Sequence, residues 1–326
     1  LNLLGLGHRK PYIILGLLIQ AGCLIAVPYI HPGSSFGLFT SVAFLLMTGM
    51  ALYDTCTDGL ALDTTPPEDE GTVQGIMVSG RALGVVVVSA TLGVLAQLTT
   101  WTVAFWTLAA ITLLPLPLVF RIKEQDRPGE RAFEWGAFRA FGRRQVISLA
   151  LLGALYSLVI NGANEIVNPF LEEQFGIGYL RAGLYTAVWG VGVVLGGLSG
   201  GRLTDRLGHR RSALGALTLS LATILALTAI ISPAMAWPLV FLFGLAFGYY
   251  ETVYFATSMD FTDPRIAASM FAILMAIANI GTGVGLAVGG MLVDAVGYQW
   301  TFVIIAVLNL LALPLIPAIF RQGRKD

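Results

Sequence analysis

Charge is scarce in this chain. Only 12% of its 326 residues are Asp, Glu, Lys or Arg, where soluble globular domains carry about 25%, and the mean hydropathy is +0.79. That balance excludes a water-soluble domain and makes a lipid bilayer the solvent. The 19 basic and 19 acidic residues cancel, and no nucleic-acid partner is expected. Cysteine is nearly absent: Cys23 and Cys56 lie in apolar runs without CxxC spacing, so neither a disulfide framework nor a zinc site is supported, and both are read as packing residues. The three histidines, His8, His31 and His209, are scattered over loops and cannot form a metal cluster without remote carboxylates, so no metal is expected. No P-loop, HExxH or nucleophile elbow is present, and no Ser-His pair falls at one depth. Neither a membrane enzyme nor ATP-driven transport is supported, and no cofactor is expected.

What the chain has instead is long apolar runs. Ten approach the length of about 20 residues that a hydrocarbon core requires: 11–30, 36–62, 72–95, 102–120, 146–170, 179–201, 213–231, 237–259, 267–293 and 298–320. Positive charge falls in alternate loops, at His8-Arg9-Lys10, 121–144, 202–211, Arg265 and the tail 321–325. The intervening loops 31–35, 99–100, 232–236 and 294–297 hold no Lys or Arg. The positive-inside rule therefore places the basic loops, the linker and the C-terminus on the cytoplasmic side. The acidic loop 64–71 does not overturn this, since acids weigh little in the rule. The one long hydrophilic stretch, 121–145, divides the chain into half-bundles 1–120 and 146–326. Within it Phe133, Trp135, Phe138 and Phe141 recur beside Arg139, Arg143 and Arg144, as an amphipathic helix on the inner leaflet would, or as a linker packed on the bundle would.

The halves repeat. Tyr53-Asp54-Thr55 through Asp63 aligns with Tyr250-Glu251-Thr252 through Asp260 at an offset of 197 residues. Gly7-His8-Arg9-Lys10 returns as Gly208-His209-Arg210-Arg211, and Leu113-Leu114-Pro115 has its echo near Leu310 to Pro314. In the second half two spans precede the basic motif and in the first half none does, so a twelve-helix protein lacking two spans is expected.

Two six-helix halves joined by a basic linker resemble the major facilitator superfamily, in which the halves rock around a midplane site. The loop from Gly201 through Asp205-Arg206, Gly208 and Arg210-Arg211 resembles that superfamily's Gly-x-x-x-Asp-Arg-x-Gly-Arg/Lys-Arg/Lys signature, departing at His209. The resemblance implies an all-α membrane fold and a cytoplasmic gate. The first copy keeps Gly7, Arg9 and Lys10 but has Leu4-Gly5 where Asp-Arg would stand, so its lock is displaced or absent. A narrower resemblance rests on Asp54, Asp58 and Asp63, the turn Pro66-Pro67-Glu68-Asp69-Glu70-Gly71 and Arg81. It is similar to the AmpG-type muropeptide permeases and their peptide/acetyl-CoA transporter relatives.

Ionisable groups at membrane depth are expensive and read as pathway residues. Asp54 sits about ten residues from its helix end, roughly 15 Å at 1.5 Å per residue, with Glu251 at the matching depth. Asp54, Asp58, Glu251 and Glu165 are the proton-coupling candidates, since desolvation raises carboxylate pKa values. The structural alternative pairs each acid with an arginine or a helix end. Arg81 is expected to pair with Asp58, leaving Asp54 freer to titrate; the reverse pairing, or binding of an anionic substrate group, stays open.

Asn161, Glu165 and Asn168 share one helical face, and with Asn164 suit sugar or peptide groups; interhelical hydrogen bonding is the other reading. Tyr53, Tyr250 and Asn279 complete the substrate candidates. Asp63 and Asp260 are read as gate or capping residues. The glycines from 190 to 201 and from 281 to 290 are read as helix-packing positions. The function expected is a secondary transporter for a polar or amphiphilic small solute, coupled to protons and acting as a monomer. The alternative is a non-transporting membrane assembly factor of the same fold.

Overall fold

The computed structural model describes residues 9–122 and 134–320. Among the described residues eleven α-helices follow one another: α1 (Lys10–Ala26), α2 (Phe36–Thr64), α3 (Glu70–Leu98), α4 (Trp101–Leu113), α5 (Leu116–Arg121), α6 (Arg144–Phe175), α7 (Tyr179–Leu207), α8 (His209–Leu227), α9 (Pro233–Asp260), α10 (Ala267–Leu308) and α11 (Leu315–Ile319). No strand occurs among the described residues. Backbone amides in lipid must find partners within their own segment, and the helix meets that demand. The fold class is all-α and membrane-spanning.

The apolar runs and the helices differ where the backbone chemistry is special. The fourth run breaks into α4 and α5 at Pro115, which lacks the N–H that a continuing helix needs. The last run breaks likewise, into α10, a 3-10 turn at Asn309–Ala312 and, beyond Pro314, α11. The expected loop at 294–297 is reduced to a kink within α10 that separates two helical stretches. Gly297 alone leaves helical geometry there, at φ 78°, and the next span restarts within a turn. Trp135–Gly142, read from the sequence either as an amphipathic helix or as linker packed on the bundle, is a 3-10 helix in which Phe138 stacks on Trp135 and Phe141. Residues 123–133 of the linker, Gly7 and the basic tail lie outside the described residues.

Large apolar side chains face outward: Phe44 is 74% exposed, Leu98 78% and Ile231 80%. Water would penalise such a surface at about 25 cal/mol per Å², and lipid does not. The described residues fall into two compact units, 9–64 with 87–122 and 65–86 with 134–320, so that α3 contributes to both.

In the first unit α1 packs on α2 and α4. Gly16 and Gly49 let the α1 and α2 backbones meet, for a Cβ on Gly16 would stand 2.6 Å from the Gly49 carbonyl. Ile13, Leu17 and Val119 form a small core against which Tyr53, Cys56 and Leu60 pack.

In the second unit α7 packs along α9, and α6 along α10. Both seams are made of small residues. Gly192 and Gly196 of α7 lie on the carbonyls of Phe241 and Leu245, and Gly281 and Gly285 of α10 on those of Ala154 and Leu158. Close backbone approach of this kind drives helix association in lipid, where no hydrophobic force is available. The first part of α3 joins the same unit through Gly71 on Gly201 and Gly75 on Gly197.

Candidate functional site

The second unit holds a cavity of about 440 Å³ between α6, α7 and α9, within the 300–1,000 Å³ range of small-molecule sites. α6 contributes Asn164, Glu165, Asn168 and Glu172, successive positions on one helical face; α7 contributes Thr186 and Trp189, three residues apart. Asn168 Nδ2 donates to Thr186 Oγ1 at 3.0 Å, tying the two walls together. Trp189 Nε1 is buried without a hydrogen-bond partner among the described residues. Asn161 stands one turn earlier and is occupied differently, donating to the Ser157 carbonyl at 3.1 Å and to Thr282 Oγ1 of α10 at 3.2 Å. Asn164, Glu165 and Asn168 therefore share the cavity, and Asn161 makes the helix contact. Thr186 and Trp189 were missed in the sequence, although their spacing on a glycine-rich helix was a signal for a polar face.

A second polar element sits in the middle of α3 and α9. Arg81 Nη1 donates to Glu251 Oε1 at 3.3 Å. The Glu251 side chain is 15% exposed and that of Arg81 47%, so the carboxylate is enclosed while the guanidinium keeps an open side. Arg81 also lies 5.5 Å from the Phe255 ring centroid, within reach of a cation–π contact. Next to Glu251 in α9, Tyr250 is buried, its ring 5.1 Å from Tyr156, which in turn lies 4.7 Å from Tyr254. The Tyr250 hydroxyl has no hydrogen-bond partner among the described residues. The Arg81–Asp58 pair expected from the sequence would join residues of different units; the partner seen in the second unit is Glu251.

At the helix ends nearest the signature loop, Asp205 caps α3. Its Oδ1 accepts from Gly71 N–H at 2.8 Å, and its Oδ2 from Thr72 N–H at 2.8 Å and from Thr72 Oγ1 at 2.5 Å. A carboxylate here meets the first free amides and the positive end of the helix dipole. Gly201 permits the approach, because a Cβ there would stand 2.2 Å from the Gly71 carbonyl. Gly208, at φ 82°, turns the chain from α7 into α8. Arg206, Arg210 and Arg211 are exposed. In the first unit Arg9 pairs with Asp63 at 2.7 Å, and Lys10 Nζ donates to the Phe120 carbonyl at 3.5 Å.

The remaining candidates are placed as follows. Asp54 is half-buried on α2 and Asp58, one turn on, is buried. Tyr53 packs against the Ile13 and Leu17 core. Asn279 is exposed on α10 and does not line the cavity. The sequence left His209 without carboxylate neighbours, but the fold supplies them: Glu70, His209 and Asp260 each present one ligand atom, all within 4.8 Å of one another.

A bundle of apolar helices with small-residue seams, a half-open cavity with polar side chains on its wall and charge-locked helix ends defines a polytopic membrane protein of the carrier type. The family model of the Major Facilitator Superfamily matches residues 4–274 and 150–326, and the chain belongs to that superfamily.

The chain is 24% identical to the anhydromuropeptide permease of Escherichia coli, covering 92% of this chain and 64% of that protein; it thus spans a little under two thirds of that relative's length. Among solved structures, the human organic anion transporter MFSD10 (TETRAN) matches with a TM-score of 0.77 at 17% identity, covering 94% of this chain and 77% of that one. The Escherichia coli fucose:proton symporter FucP matches with a TM-score of 0.76 at 16% identity, covering 96% and 84%. These structural likenesses show the fold.

Proposed function

We propose that the protein is a secondary active transporter that moves a polar or amphiphilic small solute by alternating access, driven by protons through membrane-depth carboxylates. The half-bundles 1–120 and 146–326 rock against each other on either side of the linker 121–145, which lies on the cytoplasmic face of a bacterial inner membrane. The protein works as a monomer.

The observation that carries this reading is the Arg81–Glu251 pair. A carboxylate 15% exposed, held at 3.3 Å by an arginine that is about half exposed, can exchange that arginine for a proton. Arg81 is then released to an anionic solute, for which its fork is suited. Asp54, at the depth of Glu251 in the repeat, and Asp58 supply the acids of the first half. The cytoplasmic gate at the Asp205 cap opens when α3 leaves α7.

The solute class follows from the cavity. Two amides, two carboxylates, a hydroxyl and an indole N–H match the hydroxyl and amide groups of a glycopeptide. The anhydromuropeptide permease likeness supports that class. A thermal-shift screen of muropeptides, sugars, nucleotides and siderophores tests it. A muropeptide is expected to stabilise the protein and to lose its effect in the Asn164→Ala/Asn168→Ala double variant. Stabilisation only by ligands that do not depend on these amides would overturn the assignment.

A further inference from the structure

We propose that Glu70, His209 and Asp260 form a binding site for a divalent first-row transition cation, with Zn²⁺ the best match. The site is separate from the cavity and independent of which solute is carried. The three residues come from three helices: Glu70 is the first residue of α3, His209 the first of α8 and Asp260 the last of α9. Their ligand atoms lie within 4.8 Å of one another. Tetrahedral Zn²⁺ with bonds of about 2.0–2.2 Å spaces its ligands ~3.4 Å apart, so small side-chain rotations close the set.

A second observation, independent of the clustering, points to a ligand. Glu70 keeps only 9% of its surface exposed, and its Oε2 is sealed from solvent with no hydrogen-bond partner among the described residues. A buried carboxylate oxygen with nothing to accept from is costly and calls for a positive partner. A cation between Glu70, Asp260 and the imidazole is such a partner, and its double charge offsets two carboxylates.

The surroundings of His209 prepare it for metal. Thr257 Oγ1 donates its proton to the Val253 carbonyl at 2.7 Å, so toward His209 Nδ1, 3.3 Å away, it acts as the acceptor. That contact places the imidazole proton on Nδ1 and leaves the Nε2 lone pair for the ion, the arrangement by which metal-bound histidines are oriented from behind. Glu70 is held in register by its neighbours, since Asp205 fixes the amides of Gly71 and Thr72. One imidazole and two carboxylates suit Zn²⁺, Co²⁺ or Mn²⁺, and water fills the open fourth position. A bound ion would tie the starts of α3 and α8 to the end of α9.

The test is direct binding to the purified full chain in detergent after chelator treatment, with Zn²⁺ followed by calorimetry and Co²⁺ by its visible absorption. One ion per chain is expected. Glu70→Gln and His209→Gln are each expected to weaken binding at least tenfold, while the His8→Gln/His31→Gln double variant retains it. No binding by the wild type, or binding unchanged in His209→Gln, would overturn the assignment. Should His209→Gln fold poorly, Asp260→Asn, an exposed substitution, must show the same loss of affinity, and its absence would equally overturn the proposal.

Discussion

Arg81 and Glu251 stand 170 positions apart in the chain and 3.3 Å apart in space. Removing one partner of an enclosed pair leaves the other charge without compensation, whereas removing both does not. Arg81→Ala is therefore expected to lower stability by about 1 kcal/mol, a value kept modest by the half-exposed guanidinium. Arg81→Ala/Glu251→Gln is expected to recover most of the loss. Thermal unfolding of the four proteins in one detergent checks this; additive losses would separate the two residues energetically.

Asp205 takes three hydrogen bonds from the first turn of α3. Loss of a helix cap costs about 1 kcal/mol. Asp205→Ala is expected to lose at least that much, and Asp205→Asn less, because the amide oxygen still accepts. Cysteines introduced at the two mouths should also change their relative labelling rates in Asp205→Asn, and unchanged rates would deny the cap a part in gating.

Two glycines of α10 make an internal control for the helix seam. A methyl on Gly281 would stand 2.0 Å from the Ala154 carbonyl, while Gly283 has open space around it. Overpacking costs about 1–3 kcal/mol, so Gly281→Ala is expected to lower the melting temperature clearly and Gly283→Ala to leave it unchanged or slightly raised. Equal effects would mean that α10 does not press on α6 at this point.

In the turn between α9 and α10, hydrogen bonds from Arg265 hold the Asp263 carboxyl below the usual carboxylate range. A depressed carboxylate contributes stability that is complete above the unfolded value, about 3.9, and is lost as pH falls through the folded one. The wild type is thus expected to lose stability on acidification below about pH 4, and Asp263→Asn to lose less over that window. Melting temperatures measured from pH 7 to pH 3 decide it.

The spans were legible because lipid demands continuous apolar runs. The breaks at Pro115 and Pro314 needed only the missing donor of proline, but the narrowing of the 294–297 break to one backbone angle at Gly297 is something no periodicity reports. Within the site, Asn164 and Asn168 share a face that helical spacing places together. The contact between Arg81 and Glu251 was not legible, since the two stand 170 positions apart and adjacency in sequence pointed only to α2. His209 looked isolated for the same reason, its carboxylate neighbours arriving from the ends of α3 and α9.

The central claim, that membrane-depth carboxylates couple solute movement to protons, is tested most directly by uptake into vesicles under an imposed pH gradient. The full chain and its Asp54→Asn and Glu251→Gln variants would be compared at equal reconstitution, with the solute found in the thermal-shift screen. The account predicts concentrative uptake by the wild type and its loss in both variants while each still inserts. Full gradient-driven accumulation by both variants would contradict it.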